Sequence, residues 1–250
     1  EISKPFVNAY INVLIVEELI KAIRSTLRGF YPDITVLKEI SPEIAKNIEN
    51  VREYGSLRTK LIESGIVIPE EPIEAERTLM MNAIEKLKES SRLVDERISN
   101  AITEFVLHYK DFNNILLILR GKALGLESSY IESLTLGEGM YLNKWMLHRL
   151  SEAGSIDEIM TELQGTPYGK ELRNISTAKK GRDLSIIEAA IMRAFFKTII
   201  ALEHKYSLTV GPLLRYLISC RLELRNLRLM AYGIAEELPR ERLMDLAIYG

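Results

Sequence analysis

The chain has 250 residues, 47% of them hydrophobic, and its 33 lysines and arginines nearly balance its 35 aspartates and glutamates. This composition indicates a folded chain of one or two domains, and the lack of a basic excess argues against a dedicated nucleic-acid binder. One cysteine, Cys220, excludes an intramolecular disulfide framework, and three dispersed histidines argue against a zinc module.

The sequence shows no membrane-spanning pattern. Its longest apolar runs, such as Val13–Val16 and Ile115–Leu119, are far shorter than the roughly 18 residues that a spanning helix needs. No signal-peptide pattern is recognisable at the start. Because the first residue is Glu1, we expect the sequence to be part of a longer protein.

Helical patterns dominate the first half of the chain. Apolar residues recur there at spacings of three and four, the period of a helix with one buried face. Ser41 is a good N-cap in front of Pro42, and a break is expected at Gly65–Pro72. The predicted helices are Val7–Gly29, Pro42–Glu53, Ser56–Ser64 and a long helix, in one or two pieces, over Ile73–Leu107.

The second half continues in the same way. Almost nowhere do β-branched residues alternate with polar ones as a half-buried strand requires, so the fold class is predicted to be all-α. A turn is expected at Gly165–Gly169, and a solvated loop with Lys179, Lys180 and Arg182 over Asn174–Asp183. The predicted helices are one around Asn114 and those over Ser129–Leu134, Met140–Leu150, Ile156–Leu163, Ile186–Leu202, Leu213–Gly233 and Glu241–Ala247.

Two stretches of the second half resemble each other at an offset of 112 residues. The offset pairs Asn114 with Asn226 and Gly121 with Gly233. An Asn inside an apolar helix needs a hydrogen-bonding reason, and a Gly just past it is typical of a helix end. These four residues therefore mark an internal repeat, in which each Asn is expected to hold a neighbouring helix backbone and each Gly to end its helix. Two ordinary helical hairpins are the alternative interpretation.

Catalytic and cofactor patterns are missing from the sequence. Gly165, Gly169 and Lys170 fall short of a phosphate-binding loop, which needs four residues between its glycines and a hydroxyl after the lysine. Glu104 and His108 share a helix face, but di-metal bundles need a spacing of three and a second pair. We therefore predict no catalytic residue, no metal, no cofactor and no small-molecule substrate.

Arg221, Arg225 and Arg228 form a basic stripe along one predicted helix. A solvated helix face is one interpretation. The other is a docking face for an acidic partner, because the planar guanidinium group makes paired hydrogen bonds to carboxylates. We take the stripe as the candidate partner-binding site.

A set of residues in the second half of the chain carries a family resemblance: Asp111, Asn114, Arg120, Lys122, the segment Leu163–Gly169, Glu223, Arg225–Arg228 and Gly233. At these residues the sequence resembles the C subunits of the archaeal A-type (bacterial V/A-type) rotary ATPases, which are related to the d subunits of the vacuolar enzymes. The resemblance implies similar helical units around a pseudo-threefold axis, forming a funnel between the central shaft and the membrane proteolipid ring. It also implies a non-catalytic rotor subunit, peripheral to the cytoplasmic face of the membrane and not inserted in it.

In this interpretation, residues 1–40 are the remnant of a first repeat, residues 41–150 the second and residues 151–250 the third. The partners are then the shaft subunits and the proteolipid ring, whose coupling accompanies proton or sodium transport and ATP synthesis or hydrolysis. A free-standing helical-repeat scaffold that binds peptides remains the alternative function.

Overall fold

The computed structural model describes residues 4–175 and 183–249, and all regular secondary structure in these two ranges is helical. The all-α prediction is therefore confirmed. The chain divides into two compact units, Glu1–Asp95 and Glu96–Gly250. The predicted loop Asn174–Asp183, with Lys179, Lys180 and Arg182, lies mostly outside the described residues.

The first unit is built on two long helices that pack along each other. The face of the first that meets the second buries Val16, Leu19 and Ile23, and Leu79 and Ile84 of the second are buried as well. Both follow the three-and-four spacing that the sequence shows. The helices of this unit are α1 (Lys4–Leu27), α2 (Thr35–Ile40), α3 (Pro42–Ile48), α4 (Tyr54–Glu63) and α5 (Pro72–Ser91), of which α1 and α5 form the long pair.

The second unit is organised around three long helices, α6 (Glu96–Ala123), α11 (Leu184–Lys205) and α12 (Gly211–Ala235). Helix α11 packs against both α6 and α12. The rings of Phe112 and Phe195 stack at a centroid distance of 4.7 Å between α6 and α11. The shorter helices are α7 (Ser128–Ser133), α8 (Lys144–Glu152), α9 (Ile156–Glu162), a 3-10 turn at Leu163–Gly165, α10 (Pro167–Arg173) and α13 (Arg240–Leu246).

The long helix predicted over Ile73–Leu107, in one or two pieces, is present as two: α5 ends at Ser91, and α6 begins at Glu96 and continues past Asn114. At the end of α5, the hydroxyls of Ser90 and Ser91 donate to main-chain carbonyls three residues back. Such bonds compete with the helical ladder. The connection between Pro32 and Pro42 contains α2, which the sequence did not reveal; burial of Leu37 fixes it against the rest of the first unit.

Candidate functional site at the ends of the long helices

Helices α1, α4, α6 and α12 end in the same way. In each, the residue after the helix cap is left-handed, with φ of +74° at Gly29, +80° at Gly65, +70° at Gly125 and +52° at Glu237. Its N–H and the next N–H donate to carbonyls of the last helical turn, for example Leu126 to Gly121 at 3.0 Å and Leu238 to Gly233 at 2.8 Å. This is the Schellman arrangement, which satisfies main-chain groups that a helix end leaves open.

Gly121 and Gly233 therefore have another role than the predicted one. They lie inside the last turn of α6 and α12, and the helices end two residues after them. A Cβ on Gly121 would lie 2.8 Å from the side chain of Ile131, and one on Gly233 would overlap the side chain of Leu243. Each glycine thus allows the following short helix, α7 or α13, to approach closely.

Asn114 and Asn226 hold the segments that follow those short helices. Asn114 accepts from the Leu136 N–H at 2.8 Å and donates to the Gly137 carbonyl at 2.9 Å. Asn226 accepts from the Ile248 N–H at 3.1 Å and donates to the Ile248 carbonyl at 2.6 Å. Each side chain holds a main chain, as expected, but the held segment is not helical.

Paired arginine–glutamate contacts join α1 to α5 and α6 to α11. Arg24 donates to both carboxylate oxygens of Glu76, at 3.0 and 2.5 Å, and Arg120 does the same to Glu188, at 2.5 and 3.0 Å. Each arginine lies five residues before a left-handed glycine, and each glutamate is the fifth residue of its helix. The same position on α12 holds Tyr232, which is 64% exposed.

The arginines of the basic stripe make contacts within their own chain. Arg225 donates from Nη1 to the Leu246 carbonyl at 2.9 Å. Burial lowers the pKa of its guanidinium group; Arg193 lowers it further and Glu188 opposes the shift. The Arg221 guanidinium carbon lies 5.7 Å from the ring centroid of Tyr109, a cation–π distance. Arg228 is half-buried. Binding of a partner by these three residues stays a prediction.

Sequence reasoning missed two polar residues of this region. Arg193 donates to the carbonyls of Asp245 and Ala247, at 3.0 and 3.3 Å. Asp111 is fully buried and accepts from the N–H groups of residues 140, 141 and 142 at 2.8–3.0 Å. For Arg193 the available signal was a charged residue inside a strongly apolar helical run; Asp111, beside Lys110 and two asparagines, gave no such signal, although it is one of the residues that carry the family resemblance.

Asp111 combines burial with an unusual ionisation. Burial raises the pKa of its carboxyl group from 3.8 to about 6, although the three N–H bonds favour the charged form. Burial outweighs the hydrogen bonds because transfer out of water penalises the carboxylate. The carboxyl group is therefore half protonated near pH 6 in the folded chain.

The residues tested for catalytic patterns have structural contacts. Thr166 caps α10, within which Lys170 is exposed. Glu104 pairs with Lys205 at 2.6 Å, and burial lowers the pKa of His108. Within residues 4–175 and 183–249, no group of three or more His, Cys, Asp and Glu side chains could hold a metal ion. No helix in those ranges is long and apolar enough to cross a membrane.

Comparison with known proteins identifies the class. Residues 3–246 match the family described as ATP synthase (C/AC39) subunit, and the chain belongs to this family. Members of this family are non-catalytic stalk subunits and not enzymes by themselves.

Individual relatives are A-type ATP synthase C subunits from archaeal sources. That of Pyrococcus horikoshii is 31% identical over 157 residues, 63% of this chain and 42% of the relative. That of Desulfurococcus sp. (strain SY) is 33% identical over 157 residues, 63% and 41% of the two chains. That of Methanocaldococcus jannaschii is 30% identical over 146 residues, 58% and 37%. The matched part is thus less than half the length of these relatives. No solved structure matches the chain.

Replacing Asn114 by Ala should destabilise the second unit by about 1–3 kcal/mol, because the N–H of the buried Leu136 loses its acceptor, while the carbonyl of the exposed Gly137 can bond to water. Urea unfolding, followed together with hydrogen exchange of the Leu136 amide, measures the effect. Asn113→Ala is the matched control, since its side chain bonds only to the Tyr109 carbonyl of its own helix. Equal losses in the two variants would contradict the role of Asn114.

The ionisation of Asp111 predicts a dependence of stability on pH. Its pKa is higher in the folded chain, about 6, than the ordinary value of 3.8. Its contribution to stability is therefore fully present below pH 3.8 and is lost as the pH rises through about 6. Relative to Asp111→Asn, the free energy of unfolding of the unmodified chain should fall by about 3 kcal/mol over this window. A difference that is constant with pH would exclude the raised pKa.

Arg225→Ala should lower the stability of the isolated chain by about 1.5–3 kcal/mol, because a half-buried charged donor to the Leu246 carbonyl is removed. Thermal unfolding measures the loss. Arg240→Ala removes an exposed arginine in the first turn of α13 and serves as control. An unchanged melting temperature for Arg225→Ala would leave the whole stripe available to a partner.

Proposed function

We propose that the chain is part of the central stalk of an A-type ATP synthase and couples the central shaft to the membrane proteolipid ring. The family match over residues 3–246 is the observation that carries the proposal. The relatives are named as C subunits of A-type ATP synthases, and the proposal extends that role to this chain. Rotation at the ring would then drive ATP synthesis, and ATP hydrolysis would drive proton or sodium transport.

The proposal includes a threefold repeat arranged as a funnel. Its support is the two paired arginine–glutamate contacts and the two asparagine clamps. In these terms, residues 1–40, 41–150 and 151–250 are successive repeats.

The packing explains why such repeats need not coincide with compact units. Helix α5 belongs to the second repeat but packs on α1 of the first, and α11 of the third packs on α6 of the second. The long helices of the first two repeats are therefore each packed against a helix of the following repeat.

We place the chain at the cytoplasmic face of the membrane, attached to the complex without inserting in the bilayer. Shaft subunits and the proteolipid ring are its proposed partners. Acidic groups on either partner could still reach Arg221 and Arg228, since neither is fully buried.

Reconstitution of the complex in vesicles, with and without this chain, tests the function. With the chain, an ion gradient should support ATP synthesis. Without it, the nucleotide-binding head should still hydrolyse ATP, but gradient-driven synthesis should fall to background because shaft and ring are no longer joined. Recovery of the chain apart from nucleotide-binding and proteolipid subunits after mild membrane extraction would instead favour the free-standing scaffold.

A further inference from the structure

Two arginines of the second unit lie side by side at the end of α13. Arg193 of α11 donates from Nη1 to the carbonyls of Asp245 and Ala247, at 3.0 and 3.3 Å. Arg225 of α12 donates from its own Nη1 to the carbonyl between them, that of Leu246, at 2.9 Å. Because the three carbonyls are consecutive, the two guanidinium groups are close neighbours. Burial lowers the pKa of the Arg225 guanidinium group, and the positive charge of Arg193 lowers it further.

Among the residues that the structure describes, no carboxylate pairs with either guanidinium group. The half-buried Arg120, by contrast, pairs with Glu188. Glu188 also acts on the pKa of Arg225, but both of its carboxylate oxygens accept from Arg120. The carbonyl end of a helix carries at most about half an elementary negative charge. Most of the positive charge of the Arg193–Arg225 pair is therefore left without compensation.

The related helix end in the same unit shows that α13 does not need Arg225 in order to end. At the offset of 112 residues, α13 corresponds to α7, and Arg225 corresponds to Asn113. The Asn113 side chain donates to the Tyr109 carbonyl of its own helix, yet α7 ends normally at Ser133. The charge of Arg225 is thus an addition of the later helix end and not a general requirement of the motif.

Both arginines keep donors for a further ligand. A guanidinium group has five N–H donors, and the bonds of Arg193 and Arg225 come from Nη1 alone. Their Nε and Nη2 groups have no partner in the described part of the chain, and both side chains are only half-buried. The planar fork of a guanidinium group matches the oxygens of phosphate, with which it forms paired, charge-assisted hydrogen bonds.

We propose that Arg193 and Arg225 together bind a small, doubly charged oxyanion of the phosphate class. Two negative charges offset the charge that the carbonyls leave over, whereas a single carboxylate offsets only part of it. The bound anion would hold α11 and α12 to the end of α13, which already contacts both helices. This inference does not depend on the proposed function.

Nuclear magnetic resonance of the nitrogen-15-labelled chain measures this binding directly. Inorganic phosphate replaces chloride at constant ionic strength, and the side-chain Nε–H signals of arginine are followed. The signals of Arg193 and Arg225 should shift along one common saturating curve, while that of the exposed Arg240 stays in place. Sulfate, which is also doubly charged and tetrahedral, should compete with phosphate for the site.

Conservative variants separate the guanidinium fork from the charge. Arg193→Lys and Arg225→Lys each keep a positive charge and a donor for the carbonyls, so circular dichroism should show a folded chain. Their affinity for phosphate should fall at least tenfold, because an ammonium group lacks the planar fork. Arg240→Lys is the matched control: it changes an exposed arginine in the first turn of α13 and should leave the affinity unchanged.

Three results would overturn the proposal. The first is a response of both Nε–H signals to chloride that equals the response to phosphate. The second is unchanged phosphate affinity in either lysine variant. The third is binding of phosphatidate vesicles through the same two arginines with no response to free phosphate, which would assign the site to a lipid headgroup. The titration of the unmodified chain decides the matter even where a variant fails to fold.

Discussion

The structure depends on how the long helices end. A helix that stops inside a packed unit leaves carbonyl groups without partners, and the chain must also turn back without exposing them. After α6 and α12, two features satisfy these main-chain groups. A left-handed residue closes the last turn, and an asparagine further back in the helix bonds to the returning main chain. The following short helix can then lie against a glycine. Asparagine, glycine and the left-handed residue thus act together at one place in the fold.

The two asparagines show what a sequence can and cannot predict. A polar amide in an apolar helical run had to have a partner, and main-chain groups do supply it, but they belong to the segments after α7 and α13 and not to a helix. Helix existence followed equally well from apolar spacing. The role of Gly121 and Gly233 in helix packing could not be predicted in this way. Glycine's preference for helix ends is a local tendency, whereas the close approach of another helix depends on where that helix packs. Helix α2 was missed for a similar reason, since burial of Leu37 is a tertiary effect.

Charge patterns were the least informative part of the sequence. Arg225 lies on a basic stripe that the sequence assigns either to solvent or to an acidic partner, yet its guanidinium group donates to the Leu246 carbonyl of its own chain. Arg24 and Arg120 have no distinctive spacing, but each joins two helices through a bidentate pair. Periodicity fixes which face of a helix is polar; it does not say whether that face meets water, a main-chain carbonyl or a carboxylate from far along the chain. Only packing decides between these.

The packing of α5 on α1 and of α11 on α6 holds the long helices in fixed relation within each of the two compact units. Each contact combines an apolar stripe, which supplies most of the stabilisation, with one ion pair, which fixes direction and register. Helix α12 has the stripe without the ion pair, because Tyr232 stands where Arg24 and Arg120 stand on the other two helices.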